Sequence, residues 1–102
     1  METIFKILTQ AQWIEFQRIG AFTGSPIDLK DGYLHLSAID QVQGVIERYY
    51  KGLRPLFVVE FPVSIFGTAL KWEKSDSGGI YPHVYDRVLA FNEVAGVRRI
   101  DQ

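Results

Sequence analysis

His35 and His83 are the only imidazoles in the chain, and there is no cysteine. Acid, base or nucleophile chemistry therefore rests on histidine, serine, tyrosine and carboxylates. A thiolate nucleophile, a disulfide framework and a Cys-ligated zinc or iron–sulfur centre are ruled out for this chain. The two histidines stand in similar settings. In Tyr33-Leu34-His35-Leu36-Ser37, strand alternation puts Tyr33, His35 and Ser37 on one face and the two leucines on the other. In Ile80-Tyr81-Pro82-His83-Val84-Tyr85, the residues Tyr81, His83 and Tyr85 likewise share a face. Two stripes of phenol and imidazole suit stacking on a planar ring and hydrogen bonding to a sugar or carbonyl. The plainer reading is of structural histidines among ordinary strand tyrosines.

Spacing limits what these residues do together. Two positions along a strand are about 6.6 Å apart, beyond proton-transfer reach, so His35 and Ser37 do not read as a base and its serine nucleophile. Two histidines with distant acids lack a metal-ligand spacing. Ser37 also fits the N-cap of a following helix, whose free amides would lie beside His35 and attract a phosphate or carboxylate. Trp72 offers a flat apolar surface and Glu73 a carboxylate, against the plainer readings of a core indole and a solvated charge between two lysines. Gly78-Gly79 matches no phosphate-loop fingerprint.

The elements that must position these groups have local signatures. Ile4 to Leu8 reads as a strand. Thr9-Gln10-Ala11-Gln12 is a capping box opening a helix over about residues 10–19, with Trp13, Phe16 and Ile19 at helical spacing and Gly20 as its stop. Residues 20–32 read as a long loop. Tyr33 to Ser37 predicts a short strand, followed by a helix capped at Ser37 with Ile39, Val42, Ile46 and Tyr49 on one stripe and Gly52 past its end. Leu56 to Phe61 predicts a central strand and Ala69 to Glu73 another. Pro82 favours an edge or binding loop for Ile80 to Asp86. Arg87 to Phe91 and Gly96 to Ile100 predict a hairpin around Asn92-Glu93. Two early helices and several later strands make an α+β domain over residues 1–102 with a mixed sheet.

The 102 residues are 47% hydrophobic, 23% charged and 14% aromatic, which is a globular composition. For this mass, surface scaling gives a folded area of roughly 5,900 Å², enough for one core. Eleven basic and twelve acidic residues leave a net charge of −1, evenly spread over both halves. A long nucleic acid is therefore not an expected partner. No apolar run approaches the ~20 residues that span a bilayer, and the first residues do not read as a signal peptide, so the expected location is cytoplasmic.

Trp13, Asp31-Gly32-Tyr33-Leu34-His35-Leu36-Ser37 with Gln41, Leu70-Lys71-Trp72-Glu73 and Tyr81-Pro82-His83-Val84-Tyr85 together resemble a small bacterial family, domain of unknown function 952. The resemblance covers nearly the whole chain. That family is similar in fold to ADP-ribosyltransferases and RNA 2′-phosphotransferases, which implies a split, mostly antiparallel sheet around an NAD cleft, with two helices in the N-terminal half. His35-Leu36-Ser37 resembles the H-x-[ST] element that holds the NAD ribose and nicotinamide amide in those enzymes, with Leu36 in place of the usual glycine. Their catalytic glutamate has no secure match here; Glu73 and Glu93 are candidates.

Three functions follow as expectations. The first is a module binding a nucleotide-like small ligand of the NAD or ADP-ribose type. The second is an ADP-ribosyl- or phosphotransferase using NAD as substrate, with His35, His83 and Glu73 as catalytic groups and Tyr33, Ser37, Trp72, Tyr81 and Tyr85 as ligand contacts. The third is a protein-interaction domain. Whether His35, Trp72 and His83 converge on one cleft is the deciding geometry.

Overall fold

Thr9 does what its sequence context requires. Its hydroxyl accepts the Gln12 amide and the Gln12 side chain accepts the Thr9 amide, closing a capping box at the start of α1 (Gln10–Ile19). Gly20 ends that helix at φ +87°. The computed structural model describes residues 2–76 and 78–102. Before α1 runs β1 (Thr3–Thr9); after it come β2 (Ala21–Phe22), α2 (Pro26–Asp31), β3 (Leu34–His35) and α3 (Val42–Tyr49). The remaining strands are β4 (Leu56–Pro62), β5 (Leu70–Lys74), β6 (Ile80–Val84), β7 (Leu89–Ala90) and β8 (Gly96–Ile100).

Among the described residues the strands form sheets ordered β1-β4-β8, β2-β7 and β3-β6-β5. Every one of these pairings is antiparallel, which corrects the expectation of a mixed sheet. β4 is central, as the apolar run from Leu56 to Phe61, interrupted only at Glu60, predicts. Alternation along β1 and β4 gives the first sheet two apolar faces. One face carries Ile4, Leu8, Val59 and Phe61, packed with Phe16, Leu34, Leu36, Val84 and Leu89. The other carries Ile7, Leu56 and Val58, covered by Val42 and Ile46 of α3. A bridge between Phe5 and Ser37 joins the first sheet to the third through two amide bonds of 2.8 Å. The molecule is thus mixed α and β with antiparallel sheets and few helices. Among the described residues no helix is long and apolar enough to cross a membrane.

Four expectations change. Residues 20–32 hold β2 and α2 rather than one loop, because Ser25 caps α2 with Asp28 in a second capping box and Pro26 starts it. Ser37 is not a helix cap. A 3₁₀ turn over Ile39–Gln41 precedes α3, and the Gln41 side chain caps Ala38 instead. The three amides after His35 are consequently all spent, on the Pro82 carbonyl, the Phe5 carbonyl and the Gln41 side chain, so no open helix end lies beside that imidazole. Residues 87–100 do not form a hairpin: β7 pairs with β2 and β8 pairs with β4. The chain is redirected by a 3₁₀ turn at Phe91–Glu93, where the Glu93 carboxylate accepts the Ala90 amide and pairs with Arg87.

Pro82 sits in β6, the centre of its sheet rather than an edge. Its carbonyl accepts the Leu36 amide at 3.0 Å, so its ring nitrogen faces the point where β3 has already ended. The missing donor falls where the β3 ladder stops, and the strand tolerates it.

Candidate functional site

His35 and His83 lie directly opposite one another across the β3–β6 ladder. Leu34 and Val84 point into the core, so the alternation places both imidazoles on the outer face of the third sheet. Their ring centroids are 5.4 Å apart, and the Tyr33 ring packs on both, at 4.6 Å from His35 and 4.3 Å from His83. Register in β5–β6 brings Glu73 opposite Tyr81 and Lys71 opposite His83, on that same face.

Each imidazole is backed by a carboxylate. The His35 Nδ1 is 2.7 Å from Asp28, which also accepts the His35 amide at 3.0 Å and the Ser25 amide at 2.9 Å. His35 uses Asp28 Oδ1 for both contacts, while Oδ2, which takes the Ser25 amide, also accepts the Lys6 ammonium at 2.8 Å, and Lys6 donates in turn to the His35 carbonyl at 2.7 Å. Lys6 and Asp28 are both buried. Burial pushes the Asp28 carboxyl up, but its bonds to His35, Lys6 and Ser25 win and hold it well below the usual carboxylate range. Burial lowers the Lys6 ammonium, against the pull of Asp28. On the solvent side, the His35 Nε2 is 3.0 Å from Asp31.

His83 is buried, and its Nδ1 lies 2.8 Å from Glu73, whose same oxygen accepts the Tyr85 hydroxyl at 2.7 Å. These bonds, Tyr85 foremost and then His83, lower the Glu73 carboxyl. The same carboxylate pushes the Tyr85 phenol up to about 12. Tyr33 is also raised, by burial and by Asp31 and Glu73.

These rings border a cleft of about 690 Å³ between the third sheet, α2 and α3. Tyr33, His35, Ser37, Tyr81 and His83 line it together with Lys6, Asp31, Arg48, Tyr49, Tyr50 and Lys74. Hydrogen bonding of the Arg48 guanidinium with Tyr81 and Tyr49 keeps it firmly charged. Two sequence candidates are not among the lining residues: Glu73 is the carboxylate partner of His83, and Tyr85 donates its hydroxyl to Glu73. Trp72 is the clear departure: it faces Pro82 on the other side of the sheet, 44% exposed, and does not meet the histidines. Among the described residues no three His, Cys, Asp or Glu side chains are grouped to hold a metal ion.

Asp28, Lys6, Asp31 and Arg48 are absent from the sequence-derived set. Asp28 had a signal, since Ser25-Pro26-Ile27-Asp28 is a capping box with proline at the first helical position. Lys6 had a weaker one, a lone cation at an inward position of an apolar strand. Arg48 reads only as a solvated helix charge.

An antiparallel α+β domain with paired, carboxylate-backed imidazoles on a cleft is the class these features define. The chain belongs to the family described as Protein of unknown function (DUF952), whose model matches residues 7–97. The X-ray structure of Protein CC0527 from Caulobacter crescentus is 37% identical with a TM-score of 0.89, the match covering 97% of this chain and 86% of that one. Its solution NMR structure is 38% identical with a TM-score of 0.87, over 99% and 86% of the two chains. No curated protein matches the chain.

Proposed function

We propose that the cleft beside His35 and His83 binds a nucleotide-like small ligand of the NAD or ADP-ribose class. The observation that carries the reading is the convergence of both imidazoles and Tyr33 on one cleft of about 690 Å³. That volume lies within the roughly 300–1,000 Å³ of small-molecule sites. Tyr49, Tyr50 and Tyr81 offer aromatic surface for a base or nicotinamide, and Arg48 and Lys74 offer positive charge for a pyrophosphate. The resemblance of His35-Leu36-Ser37 to the ribose-holding element of ADP-ribosyltransferases supports the same reading, and with it an ADP-ribosyltransferase-like fold. The packing of Leu36 into the core gives a reason for a leucine where those enzymes carry glycine.

A second reading makes the chain an ADP-ribosyl- or phosphotransferase. It is favoured by the hydrogen-bonded group of Glu73, His83 and Tyr85, which puts a strand carboxylate next to the cleft. Titration calorimetry with NAD and ADP-ribose tests the binding reading. Wild-type protein is expected to bind one of them, and His35→Ala to weaken that binding at least about tenfold, the equivalent of one hydrogen bond to a charged partner. Full affinity in His35→Ala would put the ligand elsewhere, and no heat with either nucleotide would turn the assignment toward a protein partner. NAD cleavage lost in Glu73→Gln while binding persists would establish the enzyme.

A further inference from the structure

β5 is an edge strand: among the described residues it pairs with β6 on one side and with no strand on the other. The Tyr85 amide bonds the Ala69 carbonyl at 2.9 Å and the Ser75 amide bonds the Gly79 carbonyl at 3.1 Å, which fixes the phase of the ladder. Lys71 and Glu73 therefore turn their backbone groups to β6, and Leu70, Trp72 and Lys74 turn theirs to the open edge. Pro82 agrees with that phase, because it stands opposite Trp72 and directs its carbonyl to Leu36 on the β3 side. The Leu70 amide is held by the Gly67 carbonyl. The Leu70 carbonyl, the Trp72 amide and carbonyl and the Lys74 amide have no hydrogen-bond partner among the described residues. Trp72 is exposed beside this edge, and so is Ile80, its diagonal neighbour on the same face of the sheet. Natural proteins ordinarily cover or blunt such an edge.

We propose that a second copy of this chain covers it, β5 pairing antiparallel with β5 of the other copy about a two-fold axis at Trp72. The segment Leu70-Lys71-Trp72-Glu73-Lys74 is self-complementary in that register. With Trp72 opposite Trp72, Lys71 of each copy stands opposite Glu73 of the other, at non-hydrogen-bonded positions where facing side chains are closest. The Trp72 amides and carbonyls bond one another, each Lys74 amide reaches the Leu70 carbonyl of the other copy, and the two indoles meet on the opposite face. A slip of two residues sets Lys71 against Lys71 or Glu73 against Glu73, and an odd slip puts outward backbone groups opposite inward ones. Glu73 has an oxygen open for the contact: His83 and Tyr85 both use Oε1, and Oε2 accepts no hydrogen bond among the described residues. Lys71 lies over the Tyr85 ring at 4.9 Å and makes no ion pair among those residues. Each copy thus places a cation beside the carboxylate that holds the other copy's His83. Five residues of strand make a small interface, so association is expected at about micromolar to millimolar protein.

Sedimentation equilibrium of the full chain over a range of concentrations tests the pairing. The wild-type mass should rise from the 11.7 kDa of one chain toward that of two. Lys71→Glu and Glu73→Lys should each weaken association by about tenfold or more, since either change sets like charges opposite one another on both sides of the axis. An equimolar mixture of the two variants should regain the dimer, because their edges are complementary again. Trp72→Pro removes an amide that faces the open edge, leaves the β6 ladder intact and should give a folded monomer. Circular dichroism checks the fold; should Glu73→Lys, which also loses its bond to His83, fail to fold, Lys71→Glu and Trp72→Pro carry the test. A wild-type chain that stays monomeric at millimolar concentration overturns the proposal. So does a dimer that survives either Lys71→Glu or Trp72→Pro, or a mixture of the folded charge variants that stays monomeric. Nucleotide binding by the cleft is read separately by calorimetry and stands or falls independently of these results.

Discussion

Asp28 is the residue on which the site and the fold both depend. It caps α2, neutralises a buried lysine and orients His35 through ring and backbone at once. Removing one partner of a buried, hydrogen-bonded ion pair leaves the other charge desolvated, at about 3–5 kcal/mol. Against a domain stability of about 5–15 kcal/mol that is a large share. Asp28→Asn is therefore expected to lower the urea midpoint strongly at pH 7, and Lys6→Met in the same background to cost less than the sum of the two single changes. The sign with pH follows from the depressed Asp28 carboxyl. Its contribution is complete above the unfolded carboxylate value near 4 and drains away as pH falls from there toward the lower folded value. Wild-type stability should thus drop between about pH 5 and 2, and the gap between wild type and Asp28→Asn should narrow over that window. A constant gap would detach the pair from acid stability.

At the scale of elements, what was legible followed from local signals. α1 could be read to the residue because Thr9, Gln12 and Gly20 act within one turn of it. The alternation that puts Tyr33 and His35 on one face also needs no partner strand to be visible. Three things needed distant residues: that β7 seeks β2, that β8 seeks β4, and that Ser37 spends its backbone on Phe5. Asp28 is hidden in the sequence because the glycines and polar residues of 20–32 read as loop although a capping box stands among them. Trp72 departs from its expected place for a different reason: the neighbouring Glu73 has the opposite strand parity, so only one of the two can share the face of His83. Two glycines test local geometry with opposite signs. Gly32 ends α2 at φ +85°, just before Tyr33, with open space where a Cβ would go, so Gly32→Ala costs backbone strain alone, about 1–2 kcal/mol. Gly44 lies inside α3, also with open space, and Gly44→Ala should stabilise by up to about 1 kcal/mol. Chemical denaturation of both variants checks the pair; a stabilising Gly32→Ala would mean that the left-handed cap is not maintained in solution.

The whole molecule is organised by a three-stranded sheet with a hydrophobic cluster on each face, and the cleft lies along the outer face of the third sheet, β3-β6-β5, fastened to it through Phe5 and Ser37. Neither cluster can be dismantled alone, since β1 and β4 give alternate residues to both. Loss of one side removes the support on which the other side's strands pair, and unfolding should be a single cooperative transition. Ile4 is fully buried in one cluster and Ile46 almost fully in the other, on opposite faces of the sheet. Truncating either to alanine should cost about 2–5 kcal/mol by lost transfer energy and a residual cavity. The informative probe is Trp13, which stacks on Phe57 with centroids 5.4 Å apart and packs against the Ile4 cluster, away from α3. If the sheet couples its two faces, Ile46→Ala in a Trp72→Phe background should shift the Trp13 fluorescence transition as far as it shifts the far-ultraviolet dichroism. Midpoints that separate in Ile46→Ala would show α3 and its cluster melting as an independent unit, and the histidine cleft that α3 walls would then open before the core is lost.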